Sequence, residues 1–230
     1  MGIHTLAVDI GGSGIKVLVL NEEGEAITER DRLETPENPT PEAVLEIVTT
    51  LAKDKTFDRV SVGFPGVVRA GITETAANLT TDWILFDLGS ALNERLGKPV
   101  RVINDADMQG LGAIAGQGVE LVVTLGTGFG SALFVNGRLV PNLEMGHHPF
   151  RKGETYEEQL GRAAMDLAGK KKWNNRLEIA IATLQHLFNF DVLYLGGGNT
   201  KHISFELPAK VKTVPNISGL LGGIALWKDV

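Results

Sequence analysis

The 230-residue chain contains no cysteine. That absence excludes disulfides, thiolate zinc sites, iron–sulfur clusters and cysteine nucleophiles together. Long apolar runs are missing too, since none approaches the ~20 residues of a bilayer-spanning helix. The opening segment MGIHTLAVDIGGSGIK has no basic leader region and is interrupted by Asp9, so it does not read as a secretory signal. A soluble, cytoplasmic protein is expected. Positive charge is scarce: 22 Lys and Arg face 28 Asp and Glu, a net charge of −6, which argues against general nucleic-acid binding. The GxxxxGKS/T phosphate loop, the GxSxG elbow and the HExxH metal helix are all absent.

Glycine, by contrast, is abundant. The 28 glycines exceed by about a dozen what the usual ~7% would supply. They do not recur every third residue, which excludes collagen, and 43% hydrophobic residues with mean hydropathy +0.05 exclude a disordered chain. Surplus glycine on a well-cored chain points to tight turns and close backbone approach, often to phosphate. Charge is uneven as well. Residues 1–145 carry −9 and residues 146–230 carry +3; either the solvated surface is simply uneven, or an anionic ligand contacts the C-terminal part.

Strand-like runs cover His4–Ile10, Ile15–Leu20 and Glu25–Leu33, separated by GGSG and NEEG, and read as an antiparallel meander. Thr40 then offers an N-cap and Pro41 an N1 residue for an amphipathic helix through Val44, Ile47, Val48 and Leu51. Arg59–Phe64 and Val100–Ile103 read as strands, the first running into Gly63-Phe64-Pro65-Gly66 and the second into Asn104-Asp105. Later come strands Leu121–Leu125, Ser131–Val135 and Arg138–Val140 with an Asn136-Gly137 hairpin turn. Helices are expected over about Tyr156–Ala168 and Arg176–Phe188, a strand at Val192–Leu195, and a final helix after Ser218.

The opening meander occurs twice. LAVDIGGSGIKVLVL from Leu6 and LVVTLGTGFGSALFV from Leu121 superpose Asp9 on Thr124 and Gly11 on Gly126. Strand–glycine–strand hairpins are common, so the repeat is either a coincidence or the mark of two related α/β halves. Gly126-x-Gly128-x-Gly130 does not read as a dinucleotide fingerprint, because Ser131–Val135 continues as strand where that motif opens a helix. Glycine hairpins expose backbone N–H groups that can grip phosphoryl oxygens. Asp9 could hold Mg²⁺ through water, and Lys16 supplies positive charge. Asp105 is either a cleft carboxylate or the N-cap of an Ala106–Ala115 helix. Glu144 and His147 suit vicinal hydroxyls better than a metal. Lys170, Lys171, Lys172, Arg176, Lys201, His202, Lys210 and Lys212 are candidates for a polyanion, although the lysine run could equally be a solvated helix end favoured by a C-terminal dipole.

The ordered set DIGGSGIK, GFPG, NDAD, LGTGFGSA, EMGHH, a Glu within 154–158 and LGGG resembles the sugar kinases of the ROK (repressor, ORF, kinase) family, in the actin-like/hexokinase superfamily. The resemblance spans nearly the whole chain, and GHHPF together with DIGGSGIK is most similar to its polyphosphate-using glucokinase branch. It implies two ribonuclease-H-like α/β lobes, mixed sheets flanked by helices, with a substrate cleft between them. The lobes are expected at 1–105 and a larger 106–217, with a helix at about 218–230 returning to the first. The implied reaction moves a phosphoryl group from polyphosphate or ATP, with Mg²⁺, to the 6-hydroxyl of glucose.

By the same resemblance Asp105 is the base. Gly66, Asn78, Asn104, Glu144, His147 and Glu157 meet the sugar. Gly11, Gly12, Ser13, Gly14, Gly126, Thr127, Gly128 and Gly130 form the phosphate loops, and Gly196, Gly197 and Gly198 meet an adenosine. The family's cysteine-rich zinc motif is missing, so no structural zinc is expected; Glu154 and Glu158 compete with Glu157 for the sugar contact. A strictly ATP-dependent kinase and a non-catalytic sugar sensor are the competing readings. A repressor is not expected, because too few residues precede Asp9 for a helix-turn-helix. No DNA or membrane partner is implied, and a homodimer is compatible.

Overall fold

The computed structural model describes residues 2–76, 79–215 and 218–227. They form two compact units, Met1–Gly112 with Ile217–Val230 and Ala113–Asn216.

The first unit is built on a five-stranded sheet in the order β3-β2-β1-β4-β8. Strands β1 (Thr5–Gly11), β2 (Gly14–Leu20) and β3 (Asp31–Leu33) are antiparallel neighbours, while β4 (Arg59–Phe64) and β8 (Val100–Asn104) extend the sheet in parallel from β1. Leu6, Val8 and Ile10 alternate onto the face that packs with Val44, Leu45 and Val48 of α1 (Pro41–Ala52). Each such fully buried side chain stabilises the fold by about 1.5–3 kcal/mol. Thr40 caps α1 by accepting from the Ala43 N–H, with Pro41 at N1. Between β4 and β8 lie a small sheet, β5 (Val68–Arg69), β6 (Ile72–Thr73) and β7 (Phe86–Asp87), and helix α2 (Leu88–Leu96). Helix α3 (Asp105–Leu111) follows β8 directly.

The strand expected over Glu25–Leu33 is shorter. Only Asp31–Leu33 pairs fully, with one further bridge from Ala26 to Leu20. Within the unpaired stretch the Thr28 hydroxyl, rather than a backbone carbonyl, accepts from the Val19 N–H at 3.1 Å, which interrupts the ladder.

The second unit repeats the plan, in the order β11-β10-β9-β14-β15. Strands β9 (Val119–Leu125), β10 (Phe129–Val135) and β11 (Arg138–Val140) form the antiparallel meander. The Asn136-Gly137 turn has positive φ at both residues, as a two-residue hairpin of this twist requires. A two-stranded ribbon, β12 (Pro149–Arg151) and β13 (Glu154–Thr155), leads into three helices, α4 (Tyr156–Leu160), α5 (Arg162–Ala168) and α6 (Lys170–Phe188). Parallel strands β14 (Val192–Gly196) and β15 (Val211–Thr213) complete the sheet.

The repeat extends to register. Asp9 pairs with Gly63 across β1 and β4, and Thr124 pairs with Gly196 across β9 and β14. The Gly63–Gly66 turn of the first unit therefore corresponds to the segment that opens Gly196-Gly197-Gly198 in the second. This is the equivalence of Asp9 with Thr124 read in the sequence, carried across to a neighbouring strand.

Two helices differ from expectation. Tyr156–Ala168 breaks at Gly161, whose extended ψ of 171° ends α4. Helix α6 begins at Lys170 rather than near Arg176, because Trp173 sits one turn before Leu177 on the buried face and donates its indole N–H to the Leu160 carbonyl at 2.8 Å.

The chain returns to the first unit at its C-terminal end. Helix α7 (Ser218–Leu221) and the 3₁₀ turn Gly222–Trp227 bring Leu220 and Ile224 against Ala7, Leu18 and Leu20. The ring of Trp227 takes the guanidinium groups of Arg59 and Arg101, at 5.0 and 4.5 Å from its centroid, and its N–H donates to Ser61 Oγ at 2.8 Å. The first unit extends through α3 rather than ending at Asp105, because α3 is packed by this returning segment; with it, the first unit is the larger of the two. No helix among the described residues is long and apolar enough to cross a membrane.

Candidate active site

In the first unit, β1 turns into β2 through Gly12 and Ser13. Asp9 lies directly across from Lys16, and their side chains form an ion pair at 2.7 Å. Arg32 occupies the next position in the same cross-strand row. Its guanidinium lies against Gly14 and donates to the Ser13 carbonyl at 2.7 Å, while Thr35 Oγ1 donates to the Gly11 carbonyl at 2.5 Å. Arg32 was not legible as a site residue, because only strand register brings it to the loop.

Asp105 opens α3 at the end of β8, but the cap is Asn104. The Asn104 side-chain oxygen accepts from the N–H groups of Ala106 at 2.8 Å and Asp107 at 3.1 Å. Its amide donates to the Gly66 carbonyl at 3.1 Å. One buried side chain thus fixes both Asp105 and Gly66. The Asp105 carboxylate also accepts from the Ala106 N–H at 2.7 Å. Gly63, paired with Ile103 on β8, passes so near that a Cβ there would stand 3.2 Å from the Asp105 Cα and 2.9 Å from the end of Met108. Asn78 lies outside the described residues.

In the second unit the Gly126–Gly130 loop joins β9 to β10. Its N–H groups at Gly126, Phe129 and Gly130 bond the Gly128 carbonyl, the Glu157 carboxylate and Thr124 Oγ1. Among the described residues, Thr127 and Gly128 are the loop positions left to donate outward. Glu157 folds over Gly128 and reaches the Phe129 N–H at 3.2 Å.

Glu144 and His147 flank a 3₁₀ turn, with His147 Nε2 3.8 Å from the Glu144 carboxylate. Burial pushes the Glu144 carboxyl above the ordinary carboxylate range; His147 opposes that shift and Glu157 adds to it. Glu144, His147 and Glu157 therefore stand in one electrostatic neighbourhood. The competing glutamates are engaged elsewhere: Glu154 bonds the Gln159 amide, and Glu158 closes a capping box with Thr155. The Thr155 N–H accounts for the lowered Glu158 carboxyl.

The strand that ends in Gly196 is fastened to the same loop. Asn199, buried, donates from its N–H to the Leu125 carbonyl at 2.9 Å and from its side chain to the Gly126 carbonyl at 2.8 Å. Lys170, Lys171 and Lys172 lie in the first turn of α6, after the positive-φ Gly169. The run follows the C-terminal end of α5 at Gly169, as the helix-end reading expected, and it also forms the N-terminus of α6, which that reading did not include. At an N-terminus each cation is disfavoured, by about 0.3–1 kcal/mol when exposed, and the first turn of α6 has no acidic residue to offset it.

Among the described residues, no three His, Asp or Glu side chains gather as a metal cage. Mg²⁺ does not require one. It is commonly held by one or two carboxylates together with substrate phosphates and water, and the Asp9 carboxylate beside the glycine loop fits that donor set.

The family model for the ROK family matches residues 5–162. The chain belongs to the ROK family. It is 31% identical, over 96% of its own length and 88% of the relative's, to a polyphosphate glucokinase of Mycobacterium tuberculosis (strain CDC 1551 / Oshkosh). A crystal structure of inorganic polyphosphate/ATP-glucomannokinase from Arthrobacter sp. strain KM superposes with TM-score 0.89 at 32% identity, covering 98% of this chain and 100% of that one. A ROK family glucokinase from Streptomyces griseus, in complex with glucose and AMPPNP, superposes with TM-score 0.81 over 97% of this chain and 98% of that one. At 20% identity that second likeness speaks for the fold alone. The doubled strand order is the ribonuclease-H-like plan of the actin-like superfamily, as the sequence implied.

Proposed function

We propose that this ROK protein phosphorylates glucose at its 6-hydroxyl, taking the phosphoryl group from inorganic polyphosphate and also from ATP. The observation that carries this reading is the near full-length similarity to a polyphosphate glucokinase and to a polyphosphate/ATP-glucomannokinase. The side-chain arrangement within each unit supports it.

Asp105 serves as the base. As the 6-oxygen forms its bond to the terminal phosphorus, the bridging P–O bond of the donor breaks, and the hydroxyl proton passes to the Asp105 carboxylate. Polyphosphate shorter by one unit, or ADP, leaves. A carboxylate of ordinary basicity does not ionise a sugar hydroxyl beforehand; it orients the hydroxyl and takes the proton late, as suits a loose phosphoryl-transfer transition state. Asn104 sets the position of Asp105 and aims the Gly66 carbonyl. Glu144, His147 and Glu157 accept from and donate to sugar hydroxyls. The Gly11–Gly14 and Gly126–Gly130 loops hold phosphoryl oxygens, with Lys16 beside the first. Mg²⁺, held by Asp9 and the donor phosphates, would neutralise charge on the transferring group.

The deciding experiment is a glucose-phosphorylation assay with Mg²⁺ and either polyphosphate or ATP, with mannose as a second acceptor. Turnover with polyphosphate supports the reading, and turnover with ATP alone makes the protein a strictly nucleotide-dependent kinase. Glucose binding without turnover would make it a sensor.

A further inference from the structure

Helix α4 is seated on the loop that joins β9 to β10. The ring of Tyr156 packs against Phe129 with centroids 5.3 Å apart. Gly161 passes so close that a Cβ there would stand 2.9 Å from the Thr127 carbonyl oxygen, and the Arg162 N–H donates to that carbonyl at 3.1 Å. Glu157 lies between these ties, so its side chain is carried onto the loop. Its carboxylate accepts from the Phe129 N–H at 3.2 Å. Its carboxyl carbon is 3.1 Å from the position a Cβ of Gly128 would take.

An anionic group therefore covers the very loop whose backbone N–H groups are assigned to phosphoryl oxygens. Successive N–H groups attract a carboxylate for the same reason that they attract a phosphate. The two cannot share the loop, because like charges at contact distance repel. Glu157 also faces the other way. Burial raises the Glu144 carboxyl, His147 opposes that shift and the Glu157 charge adds to it, so Glu157 stands within electrostatic reach of the pair assigned to the sugar. One carboxylate is thus placed where it can accept either from the Phe129 N–H or from a sugar hydroxyl.

We propose that Glu157 makes donor binding depend on glucose. Without sugar its carboxylate covers the Gly126–Gly130 loop; a sugar hydroxyl draws it off, which frees the Phe129 N–H and removes a negative charge from the donor's place. The proposal rests on the phosphoryl-transfer reading above and gives that site a discrimination against water as the acceptor. In the hydrolysis of ATP the oxygen of water, not the sugar 6-oxygen, bonds the terminal phosphorus. The bridging P–O bond breaks, ADP and orthophosphate leave, and one proton of the water is released. A loop covered until glucose arrives suppresses that loss.

The test measures tripolyphosphate binding by calorimetry in the presence of Mg²⁺, with and without 6-deoxyglucose, which keeps the other hydroxyls and has no 6-hydroxyl to phosphorylate. In wild type the sugar should tighten tripolyphosphate binding about tenfold, within the usual range of coupling between two sites. Glu157→Gln keeps the size of the side chain and removes its charge. Without sugar it should bind tripolyphosphate about as tightly as wild type does with sugar, and 6-deoxyglucose should add little. Its glucose-free hydrolysis of ATP should exceed that of wild type, and a damaged loop would produce neither gain. Glu178→Gln, equal in charge and exposed on α6, should behave as wild type. Wild-type binding indifferent to 6-deoxyglucose, no gain in Glu157→Gln, or an equal gain in both variants overturns the role of Glu157 and leaves the phosphoryl-transfer reading intact. A wild-type protein that phosphorylates no sugar from either donor overturns that reading, and the role of Glu157 with it.

Discussion

The amide of Asn104 donates to the Gly66 carbonyl at 3.1 Å, while the oxygen of the same side chain caps the helix that starts at Asp105. A single rigid group therefore couples the end of β8 to the turn after β4. Asn104→Ala should lose about 1 kcal/mol of stability through the missing cap. Asn104→Asp should keep the cap but set a buried carboxylate oxygen against the Gly66 carbonyl, beside the acidic first turn of α3, so it too should melt lower than wild type. The coupling predicts that kcat falls in both variants by more than their loss of stability accounts for at the assay temperature. Steady-state kinetics beside thermal melts checks this.

Asp105→Asn keeps the size of the side chain and removes the proton acceptor. Turnover should fall by about 10²-fold or more, the range of general-base effects. Glucose affinity, measured calorimetrically without donor, should change little. Equal turnover in the variant would remove Asp105 from the mechanism.

Glu144 sets binding against stability. Its carboxyl titrates above the ordinary range because burial disfavours the charged form. A raised folded-state pKa contributes stability that is fully present below the unfolded value and lost as pH rises through the folded one. Glu144→Gln should therefore melt no lower than wild type at pH 7, and wild type should gain on the variant as pH falls towards the ordinary carboxylate range. Glucose KM should rise in the variant at every pH. In wild type it should rise on acidification, beginning at a higher pH than an exposed glutamate would give. Melting curves and KM values across that range test both halves.

Gly222 sits against the Met108 carbonyl and 2.9 Å, measured from the position of a Cβ, from the Gly112 N–H. Gly222→Ala should displace the returning segment from α3. Overpacking of this kind costs about 1–3 kcal/mol, and each kcal/mol lowers the melting temperature by about 2–4 °C in a protein of this size. Because α3 begins at Asp105, kcat should fall further than glucose affinity. A variant that melts like wild type would show that the segment does not press on α3.

Much of this architecture was legible because its signals are local. Alternation in Arg59–Phe64, the Thr40-Pro41 start and the Asn136-Gly137 turn each act within a few residues, and all appear where expected. The doubled meander was readable for the same reason, and register between distant strands then extends it to Gly63 and Gly196. What the sequence left open depends on contacts at long range. Arg32 reaches the first loop only through pairing with Lys16. Lysines 170–172 read as following the end of one helix, and only the burial of Trp173 against Leu160 shows that another begins with them. Three glutamates within five residues were indistinguishable in the sequence; their different hydrogen-bond partners separate Glu157 from Glu154 and Glu158.

The return of residues 218–227 to the first unit bears on synthesis as well as on the folded state. A ribosome that has released residues 1–216 has made every residue assigned here to chemistry. It has not yet made Gly222, which sits against α3, or Leu220, Ile224 and Trp227, which pack on β1, β2, β4 and β8 of the same unit. Domains generally fold as units during translation, yet here the first unit to emerge is among the last to be completed. Catalytic competence should therefore appear only once residues 218–227 have emerged and folded back.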